Sequence, residues 1–155
     1  MKKVAYLVIA VSMVFLMAAQ CLAGEGATRE EVITKCQEAA KMLQDKGIEA
    51  AKAAIGDKKG PFVWKDTYVF LMDMDAKMLA HPIKPELTQR NDLLQVKDTA
   101  GKPLFLEFVE VANSKGKGWV NYMWPKPGQE KPAAKSSYIY RVPGTQYIVG
   151  AGIYK

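Results

Sequence analysis

Residues 119–154 read WVNYMWPKPGQEKPAAKSSYIYRVPGTQYIVGAGIY. Three runs rich in β-formers lie within them: Trp119 to Trp124, Lys135 to Val142, and Tyr147 to Tyr154. A polar, proline-rich stretch from Pro125 to Pro132 joins the first pair, and Pro143-Gly144, a strong turn signal, joins the second. Strands connected this directly argue an antiparallel sheet and an α+β fold, not a parallel α/β one.

Upstream, the signals alternate between helix and hairpin. Pro103 to Lys115 reads as a helix: Leu104, Phe105, Phe108, Val109 and Ala112 form its apolar stripe, Pro103 fits its first turn, and Gly116 and Gly118 end it. Before it, Glu86 to Val96 reads as loop with a short helical turn. His81-Pro82-Ile83-Lys84-Pro85 is barred from regular structure, since two prolines remove donors and restrict their predecessors. Thr67 to Met72, the turn Asp73-Met74-Asp75-Ala76 and Lys77 to Ala80 read as a hairpin. Earlier still, Thr28-Arg29-Glu30-Glu31 is a capping box. It opens a helix whose stripe is Val32, Cys36, Ala39, Ala40 and Leu43. Gly47 ends or kinks that helix, and Ile48 to Ile55 continues as a second helical stretch before the break at residues 56–61.

The N-terminus has a different character. Met1-Lys2-Lys3 is followed by an apolar run of about 16 residues, Val4 to Ala19, and then by Cys21-Leu22-Ala23. That is the layout of a secretory signal peptide over residues 1–23, and the run is shorter than the ~20 residues a spanning helix needs. Gln20 before Cys21 makes a poor lipid-attachment site. Cleavage after Ala23 leaves one domain, residues 24–155, with a single cysteine, Cys36, and no second apolar run of spanning length. The expected location is periplasmic or secreted. Removing Lys2 and Lys3 lowers the formal charge from +6 to +4. With arginine only at Arg29, Arg90 and Arg141, and no basic stripe, a nucleic-acid partner is not expected.

Catalytic constellations are missing. There is no G-x-S-x-G elbow, and His81 is the one histidine, without the spacing partners of a metal site. No catalytic residue, metal or cofactor is therefore expected. Asp73 and Asp75 read as a solvated turn, with a cation site as the competing reading. Cys36 reads as a buried thiol rather than a reactive one. The aromatic residues say more. Tyr68, Phe70 and Met72 share one face of their strand, as do Val120, Tyr122 and Trp124 of theirs, while Tyr138 and Tyr140 face opposite to Lys135 and Ser137. Tyr and Trp carry polar ends that need partners when buried, so several around one cavity make an apolar box with a few fixed donors.

The segments Tyr68 to Asp73, Leu79-Ala80-His81-Pro82, Gly118 to Pro125, Lys135-Ser136-Ser137-Tyr138, Val142 to Thr145 and Val149 to Tyr154 resemble, in order, the single-Cache family of extracellular sensor domains. The resemblance implies a PAS-like fold: a long N-terminal helix packed on an antiparallel sheet of about five strands, with a ligand pocket on the other face. It implies a non-catalytic sensory module for a small organic acid or amino-acid-like ligand. Many members of that family sit between two membrane helices; this sequence departs from the pattern in showing no second membrane segment or signalling domain, so the expectation is a stand-alone secreted form that presents its ligand to a membrane receptor or kinase. The competing function is a structural or interaction protein of the cell envelope. Taken with the resemblance, the pocket is expected among Tyr68, Phe70, His81, Trp119, Tyr122, Trp124, Lys135 and Tyr138. Tyr122 and Tyr138 are expected to reach one cavity from neighbouring strands. His81 is either structural or a donor to the ligand. Lys135, read as a strand-end cation, is either a surface lysine or the partner of a ligand carboxylate.

Overall fold

A computed structural model describes residues 26–155; the expected signal peptide, residues 1–23, lies outside the described residues. Thr28 caps the first helix, α1 (Arg29–Gly56), by the expected reciprocal pair: its Oγ1 accepts from the Glu31 amide, and Glu31 accepts from the Thr28 amide. Gly47, at φ 82°, kinks the helix instead of ending it, because only glycine adopts that conformation without strain. Then come β1 (Val63–Trp64), β2 (Thr67–Asp73) and β3 (Met78–Ala80). Two 3₁₀ turns, Pro85–Gln89 and Leu93–Gln95, occupy the segment expected to hold one. The second helix, α2 (Leu104–Lys115), ends at Gly116 in the left-handed conformation, and β4 (Lys117–Pro125), β5 (Pro132–Arg141) and β6 (Tyr147–Tyr154) complete the chain.

Every strand pair is antiparallel, in the order β1-β2-β6-β5-β4, with β3 also on β2. Six strands thus replace the expected five or so; the added one, β1, spans two residues, too few to show an alternation in sequence. The remaining differences lie at strand ends. Chief among them, β5 begins at Pro132, so Lys135 is an interior strand residue rather than a strand-end cation.

The alternation of each strand divides the core in two. Val69 and Leu71 of β2 and Val149 and Ala151 of β6 face α1, where Val32, Cys36, Ala39, Ala40, Leu43, Ala51 and Ile55 cover them. Tyr68, Phe70 and Met72 of β2, Val120 and Tyr122 of β4, Ile139 of β5 and Ile148 of β6 face the other way, under Leu104, Phe105, Phe108 and Ala112 of α2. Each fully buried large apolar side chain contributes roughly 1.5–3 kcal/mol, so both faces are needed to hold the sheet between its helices. Cys36 is fully buried against α1's side of the sheet, and burial pushes its thiol well above the ordinary range, as the inert reading expects. Asp73 folds its carboxylate onto the Asp75 and Lys77 amides, at 3.0 and 2.8 Å, which is the hairpin turn. Among the described residues no cluster of three metal-ligating side chains occurs.

Candidate ligand-binding site

The face of the sheet opposite α1 carries a small void of about 10 Å³, lined by Tyr68, Phe70, Met78, His81, Leu104, Phe105, Phe108, Tyr122 and Trp124. Such a volume is about the least that holds one water molecule. Aromatic rings close it. His81 lies 4.7 Å from the Tyr68 ring and 6.3 Å from the Phe70 ring, centroid to centroid. Phe108 lies 5.6 Å from Phe70 and 5.2 Å from Tyr122.

The polar tips among these rings are nearly all engaged. Trp124 Nε1 donates to the Tyr68 hydroxyl at 2.9 Å. The Tyr122 hydroxyl and Ser137 Oγ share a hydrogen bond of 2.9 Å. The Ile83 and Lys84 amides donate to His81 Nδ1, at 3.3 and 2.9 Å, so the neutral ring carries its proton on Nε2. Burial, followed by the charges of Lys135 and Lys84, holds the His81 imidazole down at about 3, and the ring stays neutral through the physiological range. Nδ1 thus ties the His81-Pro82 corner to the following loop, the structural role weighed for it, and no hydrogen bond is made by Nε2–H among the described residues.

Lys135 is the exception. Its side chain is 1% exposed, and Nζ has no hydrogen-bond partner; among the described residues only Trp64 Nε1 shares that condition. The ammonium is held between aromatic faces, 4.1 Å from the centroid of Tyr68 and 4.7 Å from that of Tyr154. Burial lowers its pKa from 10.5 to about 7, against the opposing field of Asp66. The surface-lysine reading is thus overturned. Lys135 does not line the void; it lies against the Tyr68 ring, which does.

Two further expectations are corrected. Trp119 and Tyr138 are cross-strand partners, 5.4 Å apart at their ring centroids, on the α1 face of the sheet. Arg29 of α1 covers the Trp119 ring at 3.9 Å. The reason is parity: Trp119 is an odd number of residues from Tyr122 and Trp124, as Tyr138 is from Lys135, so both point away from the void. Tyr122 and Tyr138 consequently cannot reach one cavity. The structure brings together Tyr68, Phe70, His81, Tyr122, Trp124 and Lys135, and leaves Trp119 and Tyr138 with α1.

It also adds residues. Tyr154 is the register partner of Lys135 and donates its hydroxyl to the Pro125 carbonyl at 2.8 Å. Gly150 and Gly152 of β6 alternate with Tyr154 on the same face. A Cβ at Gly150 would run into the Phe70 ring, and one at Gly152 into Ser137 Oγ and, at 2.9 Å, Lys135 Cε. These glycines let Phe70 and Lys135 lie flat across β6. The alternation Gly150, Gly152, Tyr154 was the available signal. For Phe105 and Phe108 the signal was the apolar stripe of α2, which names a buried face without saying what it covers.

Residues 58–155 match the Cache domain family. The chain belongs to that family. Its solved relatives include a Cache chemosensory domain described for carboxylic acid recognition, 31% identical, with a TM-score of 0.69 over 81% of this chain and 91% of the other. The methyl-accepting chemotaxis protein McpP of Pseudomonas putida is 40% identical over 89 residues, 57% of this chain. The sensor histidine kinase MctS of Rhizobium johnstonii is 29% identical over 90 residues, 58% of this chain. The matches span 16% and 19% of those two proteins, so the likeness concerns only a small part of each. As a Cache domain the chain is a ligand-binding sensory module, with its aromatic box on the sheet face away from the long helix. Among the described residues no helix is long and apolar enough to cross a membrane.

Proposed function

We propose that this Cache domain binds a small organic carboxylate, without catalysis, at the site formed by Tyr68, Phe70, His81, Tyr122, Trp124 and Lys135. The observation that carries the reading is the buried Lys135 ammonium with no hydrogen-bond partner. A desolvated cation without a carboxylate is costly, and an anion delivered from outside removes that cost. The His81 Nε2–H is a second donor, and the surrounding rings give an apolar wall for the rest of the ligand. The residues lining the void include no carboxylate, which favours a plain acid over an amino-acid-like ligand with an amine to satisfy. A solved relative is described for carboxylic acid recognition, in agreement. The void is smaller than any carboxylate, so occupancy requires the rings to part.

Residues 1–23 are read as a cleaved secretory signal, placing the domain in the periplasm or outside the cell, where its occupancy is passed to a membrane receptor or kinase. Intact mass of the exported protein checks the cleavage: a mature start at Gly24 is expected, and any other start, or a lipid on Cys21, rejects it.

The competing reading, an envelope interaction protein whose pocket has closed into core, draws on the same small void. Thermal shift against acetate, propanoate, butanoate, succinate, glycine and ethylamine separates the two. An acid held at 100-fold over its Kd stabilises the native state by about 2.7 kcal/mol. The carboxylate reading expects such a shift for at least one acid and none for ethylamine. A flat response across the panel favours the interaction protein.

A further inference from the structure

We propose that the anion enters this site together with a proton, Lys135 being partly neutral in the empty domain and fully protonated in the occupied one. The inference rests on the carboxylate reading above and adds what that binding does to the proton balance. An ammonium has three N–H donors, and Lys135 places none of them on an acceptor within the fold. The Tyr68 and Tyr154 ring faces, at 4.1 and 4.7 Å, tolerate the cation but supply no counter-charge.

The groups packed around Lys135 leave it the sole titrating member of the set near neutrality. From β2 comes Tyr68, from β4 Tyr122 and from β6 Tyr154; burial raises all three phenols, so they remain neutral. From the end of β3 comes His81, held neutral by burial and by its two amide donors. Lys84, beyond it, adds positive charge to the same region. Among the described residues, the one carboxylate whose field reaches Lys135 is Asp66, and its Oδ1 accepts the Ala27 amide at 2.9 Å. The void beyond the Tyr68 ring is closed from α2 by Leu104, Phe105 and Phe108, which carry no charge; Glu107 of that helix pairs with Lys102 at 2.9 Å. The lowering of Lys135 to about 7 agrees with this inventory.

A carboxylate against Nζ reverses the balance. An opposite charge at contact favours the ammonium, so its pKa rises in the complex. The reaction at alkaline pH is then the neutral amine form plus carboxylate plus one proton, giving the ammonium–carboxylate pair. Affinity is expected to be flat between the acid's own pKa and about pH 7, and to fall about tenfold per pH unit above it. Such a domain reports a weak acid and ambient pH through one side chain.

Two measurements test this. In the free domain with ¹³C-labelled lysines, the Lys135 Cε resonance, identified by its absence from Lys135→Met, is expected to titrate near neutral pH; a midpoint near 10 overturns the proposal. Calorimetry of acetate and propanoate near pH 8.5, in two buffers of different ionisation heat, is expected to show uptake of close to one proton, with uptake lost in Lys135→Arg, whose guanidinium stays charged. Tight binding of either acid with no proton uptake overturns the coupling and leaves the carboxylate reading standing. Uptake that persists in Lys135→Arg assigns the proton elsewhere and also overturns it. If neither acid binds, the same calorimetry is run with whichever of butanoate and succinate shifts the melting temperature; if none of the four acids binds at any pH, the carboxylate reading fails and the coupling fails with it. Should Lys135→Arg not fold, the wild-type titration and calorimetry decide alone.

Discussion

Lys135→Met is expected to weaken carboxylate binding roughly 10- to 150-fold while leaving the fold at least as stable as before. The binding loss is that of one charge-assisted hydrogen bond, about 1.5–3 kcal/mol. Stability should move the other way because of where the ammonium sits. Its folded pKa, about 7, lies below the ordinary 10.5. The unfolded chain therefore binds more protons between those values, and stability rises with pH across that window. Above about 10.5 the lysine is neutral in both states and costs nothing; below about 7 it is charged in both, and the folded state bears the full penalty. Methionine has a similar length and no charge, and replacing a buried ion by a packed apolar group is commonly neutral or stabilising. Calorimetry with the acids that shift the wild-type melting temperature, together with chemical denaturation at pH 7, reads both effects. Unchanged affinity in Lys135→Met removes Lys135 from the site. A strong loss of stability would mean that the ammonium has a partner in the fold.

How far the sequence carried this reading depends on which kind of signal each feature left. The capping box at Thr28, the kink at Gly47 and the hairpin around Asp73-Met74-Asp75-Ala76 are local, and each was legible because a few adjacent residues determine it. The two-sided character of β2 was legible from alternation. The pairing of β2 with β6 was not: residues 69–73 meet 147–151, and nothing local to either strand encodes a partner so distant in the chain. The site fell between these cases. Tyr68, Phe70, Tyr122 and Trp124 could be assigned to faces by parity, and the same rule set Tyr138 opposite Lys135. Placing Tyr138 and Trp119 in the pocket followed the nearness of their segments and set that parity aside. Lys135 was harder. Its composition says surface, its neighbours Ser136 and Ser137 say polar, and only the register that lays Tyr154 beside it and Gly152 beneath it shows a lysine sealed under rings.

Phe108→Ala is expected to destabilise the fold by about 3–5 kcal/mol, far more than any change at Lys135. Phe108 is 1% exposed and is the point where α2 meets the sheet: its ring packs on Phe70 of β2, Tyr122 of β4 and Phe105 of its own helix. Truncation removes the buried ring and leaves a hole that a sheet on one side and a helix on the other cannot close. Against a typical total of 5–15 kcal/mol, the loss is large, and a fall in melting temperature of roughly 10–20 °C should accompany it. Leu106→Ala is the control. Leu106 lies on the same helix but is 37% exposed, and its loss should be far smaller. The hole also changes what the site accepts. It joins the void lined by Phe70 and Tyr122, adding about the space of the deleted ring. Benzoate should then bind, its ring in the place of Phe108 and its carboxylate toward Lys135, and should restore part of the lost melting temperature; benzene, with no carboxylate, should restore less. A Phe108→Ala domain as stable as Leu106→Ala would mean that α2 does not close this face. Equal rescue by benzene and benzoate would mean that the enlarged cavity does not communicate with the ammonium.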